Sequence, residues 1–288
     1  MNFKEKGYIV SFESKSGYLC KGILYYNAEN KKTIIHIHGS YGNFYDNDFI
    51  QQMAKEYNYE GFNLLAFNLQ SHGGFSDGFI NNEYCYVGGA VSSFETSVAD
   101  IKGAIEYVSE FSENVILQGH SLGTDKILNY LIKTGENYPI ILLSPCDSYA
   151  LQEKWIAPET VEKQVERIRQ LPSGKFNFLD LKEYGVNSGK EKYYIPITKE
   201  AFLSLADGFN FNYSRIEKEG IVYHIDVKAF IYIGGNDSYQ TSSIDKVESF
   251  FESRVKEPYL FYHKDGDHDL GGCSDEVIVE IIRWLKNL

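Results

Sequence analysis

The stretch ILQGHSLGTDKIL, residues 116–128, places a serine between two glycines, at Gly119, Ser121 and Gly123. The residues before it are apolar and β-branched, and the residues after it carry apolar side chains at helical spacing. The stretch therefore predicts a strand, a sharp turn and a helix. In that context a G-x-S-x-G pattern is typical of a turn that exposes the serine hydroxyl at the carboxyl end of a strand. Ser121 is a candidate nucleophile, and the alternative is an ordinary glycine-rich turn.

Strand-like and helix-like segments alternate along most of the chain. Two paired strands are predicted first, at 7–14 and 18–27, and later strands are predicted at 31–40, 62–74, 114–119, 138–145, 227–235 and 258–263. Helices are predicted at 47–61, 92–111, 124–135, 243–255 and 275–288. Because the later strands are apolar on both faces, they predict a mostly parallel sheet covered by helices on both sides, an α/β fold.

This alternation stops in the middle of the chain. Residues 148–220 contain a predicted charged helix in PETVEKQVERIRQL (158–171) and loop-like sequence at 172–196, and the alternation then resumes. The sequence therefore predicts an α/β core formed by 1–147 and 221–288, with 148–220 inserted between two halves of one sheet.

A serine nucleophile needs a base, and the base needs a carboxylate that orients it. Asp237 directly follows the predicted strand at 227–235, and His268 lies in a glycine-bounded loop before the last helix. The chain order Ser121, Asp237, His268 satisfies this requirement. The alternatives are His263 as the base, which ends a predicted strand, and carboxylates within the histidine loop, at Asp265, Asp267 and Asp269.

Stabilisation of an oxyanion needs backbone N–H groups that face the nucleophile. The segment IHIHGS ends an early predicted strand, so the N–H groups of Ser40 and Leu122 are the candidate donors. His36 and His38 also suggest a metal site, but nothing nearby completes a ligand set, so we expect neither a metal nor a cofactor. His120 is interpreted as a packing or hydrogen-bonding residue of the turn.

Composition narrows the classes of partner and compartment. Forty acidic residues against 28 basic residues give a net charge of −12, which disfavours nucleic acid as a partner. No apolar run approaches the length of a membrane-spanning helix, and the N-terminus lacks the features of a signal peptide. The four cysteines are scattered, which favours a reducing cytoplasm. The sequence does not indicate an oligomeric state.

The four segments HGS (38–40), GHSLG (119–123), GGND (234–237) and GDHD (266–269) occur in an order that resembles the α/β-hydrolase superfamily. The loop LQSHGGFSDG (69–78) adds to this resemblance. The resemblance implies an eight-stranded, mostly parallel sheet, with 148–220 as a cap over the active site. The chain is also similar to intracellular serine esterases that include siderophore esterases.

These observations favour a serine hydrolase that cleaves a carboxylic ester of a small molecule through an acyl-enzyme, with a thioester or amide as other substrates of the same chemistry. An acyltransferase or a peptidase would use the same intermediate. A different class is a small-molecule receptor that keeps the fold without turnover, because a fold does not by itself fix a function.

Overall fold

The computed structural model describes residues 6–174, 179, 186–188, 191–193, 197–208 and 223–288. Most of the loop predicted at 172–196 and the end of the predicted insertion, from 209 to 220, lie outside the described residues.

The core of the protein is an eight-stranded sheet in the order β1-β2-β4-β3-β7-β8-β11-β12. The first three strands in this order pair antiparallel, and every pairing from β4 to β12 is parallel. The strands are β1 Gly7–Glu13, β2 Leu19–Tyr25, β3 Lys32–Ile37, β4 Phe62–Asn68, β7 Asn114–His120, β8 Ile140–Leu143, β11 Ile225–Gly234 and β12 Val255–His263. The predicted mostly parallel sheet is confirmed.

Helices cover both faces of this sheet. They are α1 Asp48–Tyr59, α2 Thr96–Ser109, α3 Leu122–Thr134, α4 Ser148–Ile156, α5 Val161–Arg169, α6 Lys199–Gly208, α7 Ile244–Arg254 and α8 Ser274–Leu285. Apolar residues of α2, α3 and α7 form one core with alternate strand residues such as Ile35, and α1 and α8 form a second core with the intervening residues such as Ile34. This two-sided burial explains why the strands are apolar at consecutive positions.

The carboxyl ends of the parallel strands β3, β7, β8, β11 and β12 lie at the same edge of the sheet. At this edge Ile37 pairs with Gly119, His120 with Leu143, and Gly234 with His263. Each of the predicted site segments directly follows one of these strand ends. Parallel pairing therefore brings together segments that are far apart in sequence.

The segment between β8 and β11 has a small apolar core of its own. It is formed by Tyr149, Val161, Ile168, Leu179, Ile197, Ala201, Phe202 and Ala206. Hydrogen bonds attach this segment to a loop of the α/β core. The N–H of Thr198 donates to the Ala90 carbonyl at 2.8 Å, the N–H of Phe94 donates to Ser204 Oγ at 2.9 Å, and Ser93 Oγ lies 2.5 Å from Ser204 Oγ. Outside the main sheet, β9 Val186–Ser188 pairs with β10 Glu191–Tyr193.

The glycine-rich stretch after β4, which the sequence predicts as a loop reaching about Ala90, instead contains a hairpin. Its strands are β5 Ser76–Ile80 and β6 Glu83–Val87. Aromatic side chains on its outer face stay exposed, and Phe75 stacks on Tyr86 with ring centroids 4.8 Å apart. Clustered glycines conceal the alternation of these short strands.

No helix of the described residues combines the length and apolar character needed to cross a membrane.

Candidate active site

Ser121 occupies the sharp turn between β7 and α3 that the sequence predicts. Its backbone has φ 54° and ψ −129°, and its N–H donates to the Leu143 carbonyl at 2.9 Å. A positive φ costs a non-glycine residue of the order of 1–3 kcal/mol, and such strain persists where the surroundings determine the conformation. The turn exposes Ser121 to a cavity at the carboxyl edge of the sheet.

The glycines on either side of Ser121 are required by close backbone contacts. A Cβ at position 119 would lie 2.6 Å from the Gly123 carbonyl, and a Cβ at position 123 would lie 2.1 Å from the Ile37 carbonyl oxygen. Both contacts are far below van der Waals distance, and both involve backbone atoms. The absence of a side chain at these positions lets α3 begin directly above β3 and β7.

Asp237 and His268 are brought together by the ends of β11 and β12. His268 Nδ1 lies 2.8 Å from Asp237 Oδ2, and Asp237 Oδ1 accepts the N–H of Tyr239 at 2.8 Å. The Asp237 side chain is 0% exposed and the His268 side chain 12% exposed, so water screens this contact little. His268 lines the same cavity as Ser121.

The alternative base and carboxylates make other contacts, although Asp269 also lines the cavity, with its Oδ1 3.7 Å from His120 Nε2. His263 is the last residue of β12 and is not among the residues that line the cavity. Asp267 Oδ1 accepts the N–H groups of Asp269 and Gly271, so this carboxylate stabilises the turn. The Asp269 side chain is 70% exposed.

Two side chains hold the backbone carbonyl of His268. Ser144 Oγ donates to this oxygen at 2.8 Å, and His120 Nε2 lies 2.8 Å from it. A carbonyl only accepts, so His120 carries its proton on Nε2, and its Nδ1 accepts from Asn47 Nδ2 at 3.3 Å. Burial and the neighbouring His268 lower the pKa of His120 to about 4, which keeps the imidazole neutral. The sequence predicts a hydrogen-bonding role for His120 but gives no signal for Ser144.

The two residues predicted to donate to an oxyanion both belong to the lining of the cavity. Ser40 and Leu122 both line it, and within the described part of the chain neither N–H donates a hydrogen bond. The loop that carries Ser40 passes against the turn, because a Cβ at Gly39 would lie 2.9 Å from Ser121 Cβ. Both N–H groups are therefore without a protein acceptor among the described residues, and their role as oxyanion donors stays a prediction.

His36 in β3 and His38, one residue after its end, make hydrogen bonds within the protein. His36 Nδ1 accepts from Gln118 Nε2 at 2.9 Å. His38 Nδ1 donates to the Gly39 carbonyl at 3.0 Å, and its Nε2 accepts the N–H of Leu69 at 3.2 Å. Burial lowers the pKa of His36 to about 3 and holds that of His38 well below its usual range. Both rings are therefore neutral polar groups of the core.

Cys146 is a residue near the site that the sequence does not predict. Its Sγ lies 3.8 Å from His268 Nδ1, and the ligand atoms of Cys146, Asp237 and His268 all lie within 4.8 Å of one another. A metal ion there would have to replace the proton between His268 and Asp237. Burial raises the pKa of the Cys146 thiol well above its usual range, which disfavours the thiolate that both metal binding and nucleophilic attack require.

The cavity has a volume of about 410 Å³. This lies within the range of pockets that enclose small organic ligands. Its apolar wall comes from α4 and from the α6 region, through Leu151, Trp155, Ile197, Phe202 and Leu205. Its polar lining includes Asn43, Asn47, Gln152 and Tyr239, and no Lys or Arg of the described residues lines it.

Several solved structures are similar to this chain along nearly its whole length. The Pyrococcus furiosus esterase Pf2001 has a TM-score of 0.63 at 16% identity, and the alignment covers 98% of this chain and 91% of the esterase. Est1E from Butyrivibrio proteoclasticus with bound ferulic acid has a TM-score of 0.63 at 15% identity, with 96% and 98% covered. The monoacylglycerol lipase of Paleococcus ferrophilus has a TM-score of 0.58 at 18% identity, with 97% and 98% covered.

The sequence matches no family model, and no curated protein matches it. The sheet order and the similarity to these esterase and lipase structures show that the protein has the α/β-hydrolase fold, as the four sequence segments imply.

Replacement of Gly123 by alanine tests whether the close approach of α3 to β3 is required. We expect Gly123→Ala to lose about 3 kcal/mol of unfolding free energy in urea titrations, because the Ile37 carbonyl cannot move without shifting β3. Gly135 at the other end of α3 is the control. It has φ 68° and no atom within 4 Å of a Cβ, so Gly135→Ala should cost only about 1 kcal/mol of backbone strain. Equal losses would contradict the steric explanation.

The buried neutral histidines predict a loss of stability in acid. In the unfolded chain a histidine binds a proton below about pH 6.5, whereas folded His36 and His120 stay neutral until about pH 3 and 4. Stability is therefore lost as the pH falls from about 6.5 to about 4, by about 1.4 kcal/mol per pH unit for each such histidine.

The variant His36→Gln keeps an acceptor for Gln118. It should make the dependence of the unfolding free energy on pH shallower by the contribution of one histidine. Unfolding free energies measured between pH 6 and 4.5 would show the difference. His224→Gln, at an exposed histidine, is the matched control and should keep the wild-type slope. Identical slopes in all three proteins would contradict the assignment.

Proposed function

We propose that the protein is a serine hydrolase that cleaves the carboxylic ester of a small molecule through an acyl-enzyme. The observation that carries this proposal is the hydrogen bond between buried Asp237 and His268 at the cavity that Ser121 also lines. The strained backbone of Ser121 and the available N–H groups of Ser40 and Leu122 support it. Together these groups match the parts that nucleophilic acyl transfer requires.

In the proposed reaction Ser121 Oγ attacks the ester carbonyl carbon and gives its proton to His268. Because His268 Nδ1 is engaged by Asp237, Nε2 is the nitrogen that accepts the proton. The carbonyl oxygen becomes an oxyanion held by the N–H groups of Ser40 and Leu122. The alcohol then leaves with the proton from His268. Water attacks the acyl-enzyme by the same route, which releases the carboxylic acid and regenerates Ser121.

The cavity supports a neutral substrate with an apolar acyl group. Its wall from α4 and α6 is apolar and aromatic, and no basic side chain of the described residues is available there for an anionic group. We therefore assign residues 148–220 to a cap over the site, and residues 1–147 and 221–288 to the hydrolase core. A wall of this kind excludes water and holds an apolar group beside the nucleophile.

The esterase and lipase structures that share this fold support an ester as the substrate. An acyltransferase or peptidase would share the acyl-enzyme and differ in the nucleophile or the bond that is cleaved, and a receptor would show no turnover. Cys20, Cys85, Cys146 and Cys273 form no disulfide bond within the described part of the chain, which supports a location in the reducing cytoplasm.

The proposal predicts that Ser121→Ala abolishes hydrolysis of short p-nitrophenyl esters while the protein stays folded. Loss of one member of such a triad costs about three or more orders of magnitude in kcat. A fluorophosphonate should label the wild-type protein at Ser121 in a one-to-one ratio and should not label the variant. Retention of more than about a tenth of wild-type activity would remove Ser121 from the mechanism.

Histidine variants provide the matched pair for this experiment. His268→Ala should lose activity as completely as Ser121→Ala, whereas His263→Ala, at the end of β12 and away from the cavity, should retain it. The opposite result would show that the base is wrongly assigned. Neither labelling of Ser121 nor turnover of any ester would favour a receptor.

A second prediction concerns the proposed cap. Trp155 lines the cavity and is not part of the small core formed around Phe202. Trp155→Ala should lower kcat/KM for a bulky ester such as p-nitrophenyl phenylacetate by about tenfold more than for p-nitrophenyl acetate, because the larger acyl group loses more apolar contact. Fluorophosphonate labelling of Ser121 should be largely unchanged.

Leu171→Ala is the control for that variant. Leu171 follows α5 in the same segment, is 38% exposed and does not line the cavity. Its replacement should leave the ratio of the two kcat/KM values at the wild-type value. If Trp155→Ala also leaves that ratio unchanged, the segment does not form the acyl-binding wall.

A further inference from the structure

Lys126 is a buried lysine whose amine contacts the loop that carries Ser40, one of the two proposed oxyanion donors. It lies on α3, five residues after Ser121, and only 2% of its surface is exposed. Its Nζ donates to the His38 carbonyl at 3.1 Å and to the Gly39 carbonyl at 3.3 Å. Lysine is rarely buried this completely, because its ammonium loses the solvation of water. The position of these two hydrogen bonds suggests what the burial achieves.

The Gly39 carbonyl and the Ser40 N–H belong to the same peptide group. In a planar trans peptide the oxygen and the hydrogen point in opposite directions. A donor that holds the Gly39 oxygen on the α3 side therefore directs the Ser40 N–H away from it, towards the cavity that Ser40 lines. His38 Nδ1 donates to the same oxygen at 3.0 Å, and the His38 ring is itself fixed by the Leu69 N–H. The peptide plane is held by two donors.

The charges around Lys126 keep an ammonium possible in this position. Burial lowers the pKa of Lys126 to about 7 and raises the pKa of Asp100 to about 7, and the negative charges of Asp100 and Asp125 oppose the shift of Lys126. Asp100 is 0% exposed, and one of its oxygens accepts the N–H of Gln70 at 2.8 Å. A positive charge on the carbonyl side of a peptide withdraws electron density from it, which makes the opposite N–H a stronger donor.

We propose that Lys126 is a positioning residue that fixes and polarises the Gly39–Ser40 peptide as an oxyanion donor. The inference rests on the proposed hydrolase function. Lys126 does not line the cavity that Ser121 and Ser40 line, and its effect is transmitted through the peptide group between Gly39 and Ser40. An apolar side chain of the same size would fill the site at a lower cost of desolvation, so packing alone does not explain a lysine there.

The variant Lys126→Met removes the donor and keeps the length of the side chain. We expect kcat for p-nitrophenyl acetate to fall about 30-fold with KM changed less than twofold, because the interaction is realised in the transition state. Affinity for a trifluoromethyl ketone, which forms an oxyanion adduct with the serine, should fall in parallel. Lys126→Gln retains a donor, so we expect its kcat to lie between those of Lys126→Met and the wild type. At least a third of the loss in log kcat should be recovered.

Lys133→Met is the control on the same helix, since Lys133 is half-exposed and pairs with Glu95. It should leave kcat and ketone affinity unchanged. If Lys126→Met folds and keeps wild-type kcat, the inference is wrong. If Lys126→Met does not fold, Lys126→Gln decides. A folded Gln variant whose kcat and ketone affinity fall severalfold together, with KM changed less than twofold, supports the inference, and a folded Gln variant with wild-type kcat and ketone affinity overturns it.

Failure of the proposed function gives a different result. Wild-type protein would then show neither turnover nor labelling of Ser121 by a fluorophosphonate, and both proposals would fall together. Wild-type turnover with no response to either Lys126 variant would remove this inference alone.

Discussion

The contact between the start of α3 and the carbonyl of Ile37 determines much of the arrangement around the site. Because residue 123 has no side chain, the helix lies directly on the end of β3. Ser121 is then forced into a conformation with positive φ, and the loop at Gly39 passes within contact of it. A larger residue at position 39 or at position 123 would separate the nucleophile from the neighbouring backbone N–H groups. The chemistry that we propose depends on this short distance.

Polar groups on the far side of the site hold two backbone carbonyls in place. The His268 carbonyl is held by His120 and Ser144, and the Gly39 carbonyl by His38 and Lys126. These side chains are buried, so their hydrogen bonds act in a medium of low dielectric constant and limit reorientation. Groups that are fixed before a reaction need not reorganise while charge develops. The desolvation of these histidines and of Lys126 is the cost of that rigidity.

The sheet and the segment between β8 and β11 make separate contributions. The sheet brings Ser121, Asp237 and His268 to one edge, and the same fold occurs in proteins with many different activities. The apolar wall of the cavity instead comes largely from α4 and α6, which pack around a core of their own. Their sequence carries no motif, so the size and shape of the accepted substrate depend on a surface that only three-dimensional packing defines.

The sequence by itself determined the sheet and the positions of Ser121, Asp237 and His268 along the chain, because strand and helix periodicity and the glycines of the turn are local properties. It did not reveal the β5–β6 hairpin, whose alternation is hidden among glycines. It also gave no role to Ser144, Lys126 or Cys146. Their partners lie up to 124 residues away, and no local pattern records a contact made by folding. The tertiary structure alone decided which buried polar groups hold the site, because each of them is satisfied only once distant strands meet at one edge of the sheet.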